Sequence, residues 1–240
     1  SDFIIASQVQ DKDIIFQGND GGSGITAMTI DMSAGGNVGI GTTSPGARLD
    51  VTSTDSDAVF LRSSQSTTTN VYITNTNATA DNTANLFFAP ANNVAGSKIS
   101  SIAIEDFSSS ANRTADLAFS TRKDGTMSEK MRIDSSGNVG IGTSAPSDST
   151  NNGDNLVIGG ESNVGMSFLS NATSGNGAIY FADGTSGDAA YRGILSYSHS
   201  DDAMDFGTAS TAARVRIDSN GAVRIANTSG TLYNSSSATG

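Results

Sequence analysis

The sequence predicts an all-β fold assembled from repeated modules of short strands. One hairpin-like phrase occurs three times, and no segment shows a sustained helical period with capping residues. The composition is polar and rich in turn-forming residues, because apolar residues make up only 36% of the 240 residues and 27 are Gly. A single chain with so few apolar residues would have a poorly stabilised core. The repeated strands therefore predict that several chains share one core.

Each copy of the hairpin phrase joins two apolar-x-apolar triplets through a turn of Asp, Ser, Asn and Gly. The copies occupy residues 28–42, 131–143 and 215–225. Such runs are typical of β-hairpins, in which Asp bonds its own backbone and Gly supplies a positive φ. The first copy has two extra turn residues, which predicts a longer loop. The predicted repeat and turn residues are Asp31, Gly36, Gly39, Gly41, Asp134, Gly137, Gly140, Gly142, Asp218 and Gly221.

Glycines that alternate with Val and Ile leave one face of the second hairpin strand without side chains. Gly140 and Gly142 are the clearest examples. Because Gly weakens a strand unless another backbone must come close, we expect a neighbouring chain or sheet on this bare face. A glycine-rich twist or bulge without a partner is the alternative. The third copy carries Arg224 and Ala226 at the matching positions, which predicts a solvated face.

The remaining strand candidates divide the chain into modules. Those of residues 49–146 recur in the same order in residues 155–227, so each range is predicted to be one module. Residues 1–48 match only the second half of a module. Together with a first residue other than Met, this predicts a fragment or a processed product. Residues 147–154 are predicted to be a linker, and residues 228–240 a polar tail.

Three local predictions concern the second module. Val71-Tyr72-Ile73 is an extra strand candidate inside a segment dominated by Ser, Thr and Asn. Residues 128–131 are a candidate for one turn of helix. Within them, Glu129 and Lys130 are interpreted as a solvated charge pair.

The charge balance and residue usage exclude several classes of partner. A net charge of −11 and a sequence pI near 4.3 argue against binding to nucleic acid or to an anionic membrane surface. No apolar run is long enough to span a membrane, so no membrane insertion is predicted. Without Cys there is neither a disulfide framework nor a thiolate metal site. Residues 19–24 match neither an EF-hand nor a P-loop, so no metal or other cofactor is predicted.

Three phrases resemble segments of bacteriophage tail-fibre and related virion proteins. They are residues 137–146, residues 36–51 and the opening segment 10–20. In that family such repeats often precede an endosialidase-type intramolecular chaperone, which assembles three chains and then cleaves itself off. No chaperone residues are present here, although the tail of residues 235–240 is similar to tails just upstream of the cleavage point.

The resemblance implies a parallel, intertwined homotrimer whose modules stack along a fibre axis. The implied function is that of a structural shaft or tip segment that positions or mediates attachment to a host cell. The implied partners are other copies of the chain, further fibre or baseplate proteins, and a glycan or protein receptor on the host surface. The implied location is the virion, after synthesis in the host cytoplasm. A bacterial extracellular adhesin or filament subunit is an alternative.

Few residues are candidates for a catalytic or metal-binding role. His199 is the only histidine and is followed by two aspartates, but no partner motif accompanies it, so a solvated loop is the preferred interpretation. Glycosidases need two carboxyl groups facing one cleft, and no spacing pairs the candidate acids. These acids are Glu105, Asp106, Glu129 and Glu161. No enzyme activity is therefore predicted, and a fibre-borne polysaccharide depolymerase is the alternative.

Tyrosines are the candidates for contact with a surface sugar. Tyr191 and Tyr197 flank one predicted strand, and His199 lies close behind it. These three residues are the predicted glycan contacts. Tyr180 belongs to a repeat strand and is equally interpreted as a packing residue, while Tyr72 and Tyr233 are further candidates.

Overall fold

The computed structural model confirms the all-β prediction. It describes residues 2–54, 58–59, 61, 70–148, 155–160, 162–170, 173–208 and 213–226, together with the backbone of 232–234. Within these residues the regular structure consists of β-strands in three sheets and three short 3-10 helices. The chain divides into two compact units, residues 1–72 and residues 73–240.

The first unit contains a four-stranded sheet in sequence order. Its strands are β1 (Ile14–Asp20), β2 (Ser23–Asp31), β3 (Asn37–Ile40) and β4 (Leu49–Val51). The first three strands form an antiparallel meander, whereas β4 pairs in parallel with β3. The first hairpin phrase is the β2–β3 hairpin.

The second unit begins with a six-stranded sheet of the same design. Its strands are β5 (Thr83–Phe88), β6 (Ser97–Ala103), β7 (Ala115–Lys123), β8 (Thr126–Ile133), β9 (Val139–Ile141) and β10 (Leu156–Ile158). Strands β5 to β9 form an antiparallel meander, and β10 pairs in parallel with β9. The expected turn of helix at 128–131 is wrong, because these residues lie in β8. The expected strand at 71–73 is also wrong, because that segment is exposed and has no ladder.

A third sheet, also six-stranded, completes the second unit. Its strands are β11 (Asn176–Phe181), β12 (Gly193–Ser198), β13 (Ala203–Thr208), β14 (Ala213–Ile217), β15 (Val223–Ala226) and β16 (Leu232–Asn234). All neighbouring pairs are antiparallel. The short 3-10 helices are Ser110–Asn112, Pro146–Asp148 and Gly187–Tyr191.

The sheet boundaries are offset from the predicted module boundaries. Strands β4 and β10 open the predicted second and third modules, yet each pairs with the last hairpin strand of the preceding sheet. The boundary between the two units, after residue 72, lies inside the predicted second module. The module division therefore stays a prediction, and in the first two sheets a parallel strand follows the hairpin phrase.

One irregularity recurs at the same place in all three sheets. The ladder register shifts by one residue directly after Phe16, after Phe119 and after Phe206. In each case the extra residue lies in the strand that leads into the hairpin phrase. Because a bulge re-aims the strand and increases its twist, its recurrence gives the three sheets the same local shape.

Each sheet places one apolar residue from every strand in a single row across the sheet, which we call a rung. In the first sheet the register defines a first rung of Phe16, Met28, Ile40 and Val51. In the second sheet the first rung contains Leu86, Ile99, Phe119, Met131, Ile141 and Ile158. In the third sheet it contains Ile179, Leu195, Phe206, Val215 and Ile225, and the backbone of Tyr233 pairs with Ile225. Side chains alternate between the two faces of a strand, so a rung lies on one face. We call this the apolar face and the other the outer face.

A second rung lies two residues along on the same face. In the first sheet it contains Ile14, Ile30, Val38 and Leu49. In the second sheet it contains Ala84, Ser101, Leu117, Ile133, Val139 and Leu156. In the third sheet it contains Gly177, Tyr197, Met204, Ile217 and Val223. No charged residue occupies either rung of any sheet.

Candidate functional site: the apolar faces and the groups around them

The apolar faces remain accessible to solvent in the single chain. Among the described residues, the buried hydrophobic side chains are those of Ala118 and Ala203, both on outer faces. None of the described rung residues is buried, and several are exposed, for example Leu86 at 45%, Leu156 at 54% and Ile225 at 58%. Contiguous exposed apolar patches of this kind mark interaction surfaces in soluble proteins. The apolar faces are therefore the main candidate functional site.

In the hairpin turns, which connect the two strands of each phrase, an aspartate side chain accepts the main hydrogen bonds. Asp134 accepts hydrogen bonds through Oδ1 from the N–H groups of Ser136 (2.9 Å) and Asn138 (2.8 Å), and Gly137 has φ +89°. Asp218 accepts from the N–H of Ala222 (2.9 Å). These contacts set the geometry that brings the two apolar triplets of a phrase into register.

The first turn is longer and uses its aspartate in a different way. Asp31 accepts hydrogen bonds from the Ser33 hydroxyl (2.7 Å) and from the N–H of Ala34 (3.0 Å). Both bonds favour the carboxylate and lower the pKa of Asp31 below its ordinary value. The extra residues are accommodated by Gly35 and Gly36, which have φ values of +74° and +81°.

The strand glycines face the chain's own backbone and not a neighbouring chain. A Cβ on Gly140 would lie 2.6 Å from the carbonyl oxygen of Thr143, and one on Gly142 would lie 2.2 Å from that of Gly159. Gly39 and Gly41 have the same surroundings in the first sheet, at 2.5 Å from Thr42 O and 2.2 Å from Thr52 O. The expectation of a neighbouring chain or sheet on the bare face is therefore wrong. The segment after the strand folds back and fills this space.

The same glycines close the hydrogen-bond ladder around the bulge. The N–H of Gly142 donates to the carbonyl of Lys130, the extra residue of the bulge, at 2.9 Å. The N–H of Gly159 then donates to the carbonyl of Ile141 at 2.8 Å and continues the parallel pairing of β10. Backbone hydrogen bonds thus link the bulge, the glycine and the following strand.

The outer faces of the second and third sheets each hold an arginine at the same place in the hairpin phrase. Arg132 contacts Asp116 at 2.7 Å and Glu129 at 2.8 Å, and its side chain is 14% exposed. These carboxylates raise the pKa of Arg132 above its ordinary value. Arg216 also contacts two acids, at other positions: Asp205, directly across the ladder, at 2.7 Å, and Asp201 at 3.2 Å. The interpretation of Glu129 as half of a solvated pair with Lys130 is wrong, because Glu129 bonds Arg132 through both oxygens.

Replacement of Arg132 by Met is expected to lower the free energy of unfolding by about 3 kcal/mol. The change leaves the carboxylate of Asp116, which is 8% exposed, without its cation, and breaking a buried pair on one side typically costs about 3–5 kcal/mol. Chemical denaturation followed by circular dichroism measures the loss. The matched control is Arg192→Met, whose ion pair is more than half exposed and should contribute below about 1 kcal/mol. Equal losses in both variants would contradict this assignment.

The structure brings together two of the three predicted glycan contacts. The rings of Tyr197 and His199 lie 5.0 Å apart in a T-shaped arrangement. The Tyr197 hydroxyl donates to Asp202, which raises the pKa of Tyr197. Both residues line a cleft of about 270 Å³ over β11, β12 and β13, which Phe168 closes on one side. This cleft belongs to the apolar face of the third sheet.

Tyr191 lies apart from these two residues and pairs with Tyr180. Their ring centroids are 5.7 Å apart and their planes meet at 72°. Tyr180 follows Ile179 in β11, so it lies on the outer face. The sequence singled out Tyr191 but did not show which ring it would meet, because the contact depends on the path of the β11–β12 connection.

The acids considered for glycoside hydrolysis have local partners. Glu105 accepts a hydrogen bond from Thr114, and Asp106 accepts from Ser108 and Asn112. Glu161 lies outside the described residues. In the part of the chain that the structure describes, no group of three or more His, Asp or Glu side chains is placed to hold a metal ion.

Among the described residues, no helix combines the length and the apolar character that crossing a membrane requires.

Comparison of the sequence with protein-family models and with curated proteins finds no match.

Proposed function

We propose that this chain is a structural segment of a bacteriophage fibre, in which three parallel copies bury their apolar faces against one another. The observation that carries the proposal is the rung. Each sheet presents a row of apolar residues across its strands, and in the single chain the described side chains of this row are either exposed or only partly buried. Burial of such surface contributes roughly 25 cal/mol per Å², so covering it favours association strongly.

The occupant that fits these faces best is a second copy of the same sheet. All three sheets carry the same uncharged face, so parallel copies in register place each rung against its own counterpart. At about 4.8 Å per strand and about 3.4 Å per residue, two rungs of a six-stranded sheet cover roughly 400 Å². Together with the four-stranded sheet, the faces reach the roughly 800 Å² per partner that stable interfaces bury.

Three copies and the phage setting are supported by the hairpin phrases, which resemble those of tail-fibre proteins. Three faces that close around a common axis leave no apolar face uncovered. The charges of the chain then lie at the turns and on the outer faces, where Arg132 and Arg216 are paired with acids. A net charge of −11 keeps such an assembly soluble.

In this function the fibre positions or mediates contact between the virion and a host surface. The protein acts mechanically, as a support whose chains are held together by shared apolar surface. Incubation with host capsule or lipopolysaccharide is expected to release no new reducing ends. Release of sugar would favour a depolymerase, and a gene located away from capsid and baseplate genes would favour a bacterial adhesin.

The mass of the native particle tests the association directly. Size-exclusion chromatography coupled to light scattering is expected to give about three times the 24.4 kDa of one chain. The mass should persist at micromolar concentration and after mild heating. A compact particle of one chain that unfolds cooperatively would reject the proposal, because its apolar faces would then be stable while exposed.

A further inference from the structure

We propose that the outer face of the third sheet carries a binding site for an uncharged sugar ring, built from Tyr180, Tyr191, Asp183 and Arg192. The inference rests on the proposed function for one point only. The outer face is the one left free when the apolar faces are covered. The site itself is defined by contacts within one chain.

The two tyrosines form an exposed aromatic corner. Tyr180 is 54% exposed and Tyr191 is 49% exposed, although their rings contact each other edge to face. An edge-to-face pair leaves the face of at least one ring open to solvent. The face of an aromatic ring carries partial negative charge and attracts the weakly positive C–H groups of a sugar ring. Stacking of this kind needs no charge on the ligand.

Hydrogen-bonding groups lie next to this corner. Nε of Arg192 contacts both carboxylate oxygens of Asp183, at 3.4 Å and 3.3 Å. Both side chains remain more than half exposed, so each has further donors or acceptors available for a ligand. A donor and an acceptor held side by side match the neighbouring hydroxyl groups of a pyranose.

The loop that brings these groups together is tightly packed against itself. The N–H of Asp183 donates to the carbonyl of Ala189 at 2.9 Å and closes the connection on itself. A Cβ on Gly184 would lie 2.7 Å from that of Ala189, so only Gly allows this approach. The 3-10 helix Gly187–Tyr191 then carries Tyr191 to Tyr180. The geometry is therefore set before any ligand arrives.

The loop is three residues longer than the matching connection in the second sheet. The matching connection between β5 and β6 covers residues 89–96, whereas that between β11 and β12 covers residues 182–192. The matching position of Tyr180 in the second sheet is Phe87, which has no ring partner or ion pair among the described contacts. Loops that are carried on a repeated scaffold are common positions for binding residues.

Local charge decides the class of ligand. Asp183 and Arg192 form an ion pair, so together they add no net charge to the site. An anionic polymer would be repelled by the net charge of −11 of the chain. An uncharged pyranoside avoids this repulsion.

The test uses the intact 240-residue protein and a panel of neutral oligosaccharides that contain glucose, galactose, mannose or N-acetylhexosamine, with sialylated and sulfated chains included. The wild-type protein is expected to bind at least one neutral member. Tyr191→Ala is expected to weaken that binding at least tenfold, and Arg192→Lys, which keeps the charge but loses the planar fork, to weaken it severalfold. The control Tyr72→Ala removes a tyrosine that is 83% exposed elsewhere and should leave the affinity unchanged.

Particle mass, measured on the same samples, separates this inference from the proposed function. A three-chain particle that binds no neutral oligosaccharide, that prefers the anionic chains, or whose affinity is unaffected by both Tyr191→Ala and Arg192→Lys would overturn the inference alone. A single-chain particle that loses sugar binding on Tyr191→Ala would reject the trimer and support the site. If Tyr191→Ala does not fold, Arg192→Lys supplies the decisive comparison.

Discussion

Replacement of Leu86 by Asp is expected to reduce the native particle from three chains to one, whereas Phe87→Asp leaves three. The two residues are neighbours in β5 and have similar exposure in the single chain, 45% and 54%. They differ in the face that they occupy, because Leu86 belongs to the first rung and Phe87 to the outer face. A difference in particle mass between these two variants can therefore be attributed to the face on which the substituted residue lies.

The expected size of this effect follows from the cost of burying a charge. A carboxylate that is removed from water without a partner costs several kcal/mol, and a trimer would bury three of them around one axis. At micromolar concentration this is enough to dissociate the assembly. Light scattering of both variants at equal concentration gives the masses. Retention of three chains by Leu86→Asp, or loss of them by Phe87→Asp, would show that the apolar face is not the contact.

Replacement of Gly142 by Ala is expected to lower the free energy of unfolding by about 3 kcal/mol or more, compared with about 1 kcal/mol for Gly137→Ala. Both glycines have positive φ, +75° and +89°, so both substitutions carry the roughly 1–2 kcal/mol cost of a left-handed Ala. They differ in surroundings. The new Cβ would meet the Gly159 carbonyl oxygen at 2.2 Å in one case and nothing within 4 Å in the other.

The additional loss comes from the displacement of β10. Relief of the contact requires Gly159 to move, which breaks its hydrogen bond to Ile141 and the parallel pairing beside it. Denaturant titration measures the stability difference, and amide hydrogen exchange should show faster exchange at residues 157–159 in Gly142→Ala. Equal stability of the two variants would mean that β10 shifts without cost, and that its pairing with β9 contributes little to stability.

Much of the local structure could be predicted from the residues. The alternation of Met131, Ile133, Val139 and Ile141 around an Asp–Gly turn predicted a hairpin, and β8 and β9 form one. The prediction succeeded because a period of two and a turn of fixed chemistry specify antiparallel pairing over a few residues. The segment 128–131 was misassigned for a related reason, since the bulge at Lys130 interrupts the alternation.

The strand glycines show what the sequence could not predict, which is the identity of the neighbouring group. The sequence indicated that something must lie close to Gly140 and Gly142, but the neighbour is the chain's own Thr143 and Gly159. The partner of Glu129 was missed likewise, because Arg132 reaches it and Asp116 together only when β7 and β8 are paired. Tyr197 and His199 contact each other because they lie two residues apart at the end of β12, whereas Tyr191 lies on a separate loop, and the glycan contacts stay a prediction.

The residues alone specified strands, turns and a shortage of apolar side chains, because period, turn chemistry and composition are properties of short segments. The tertiary structure decided which strand lies beside which, and therefore that one apolar residue from every strand falls in a single row on one face. Register depends on contacts between residues distant in the chain, which no local pattern contains. The register therefore arranges Leu, Ile and Phe residues that are scattered along the chain into continuous apolar surfaces.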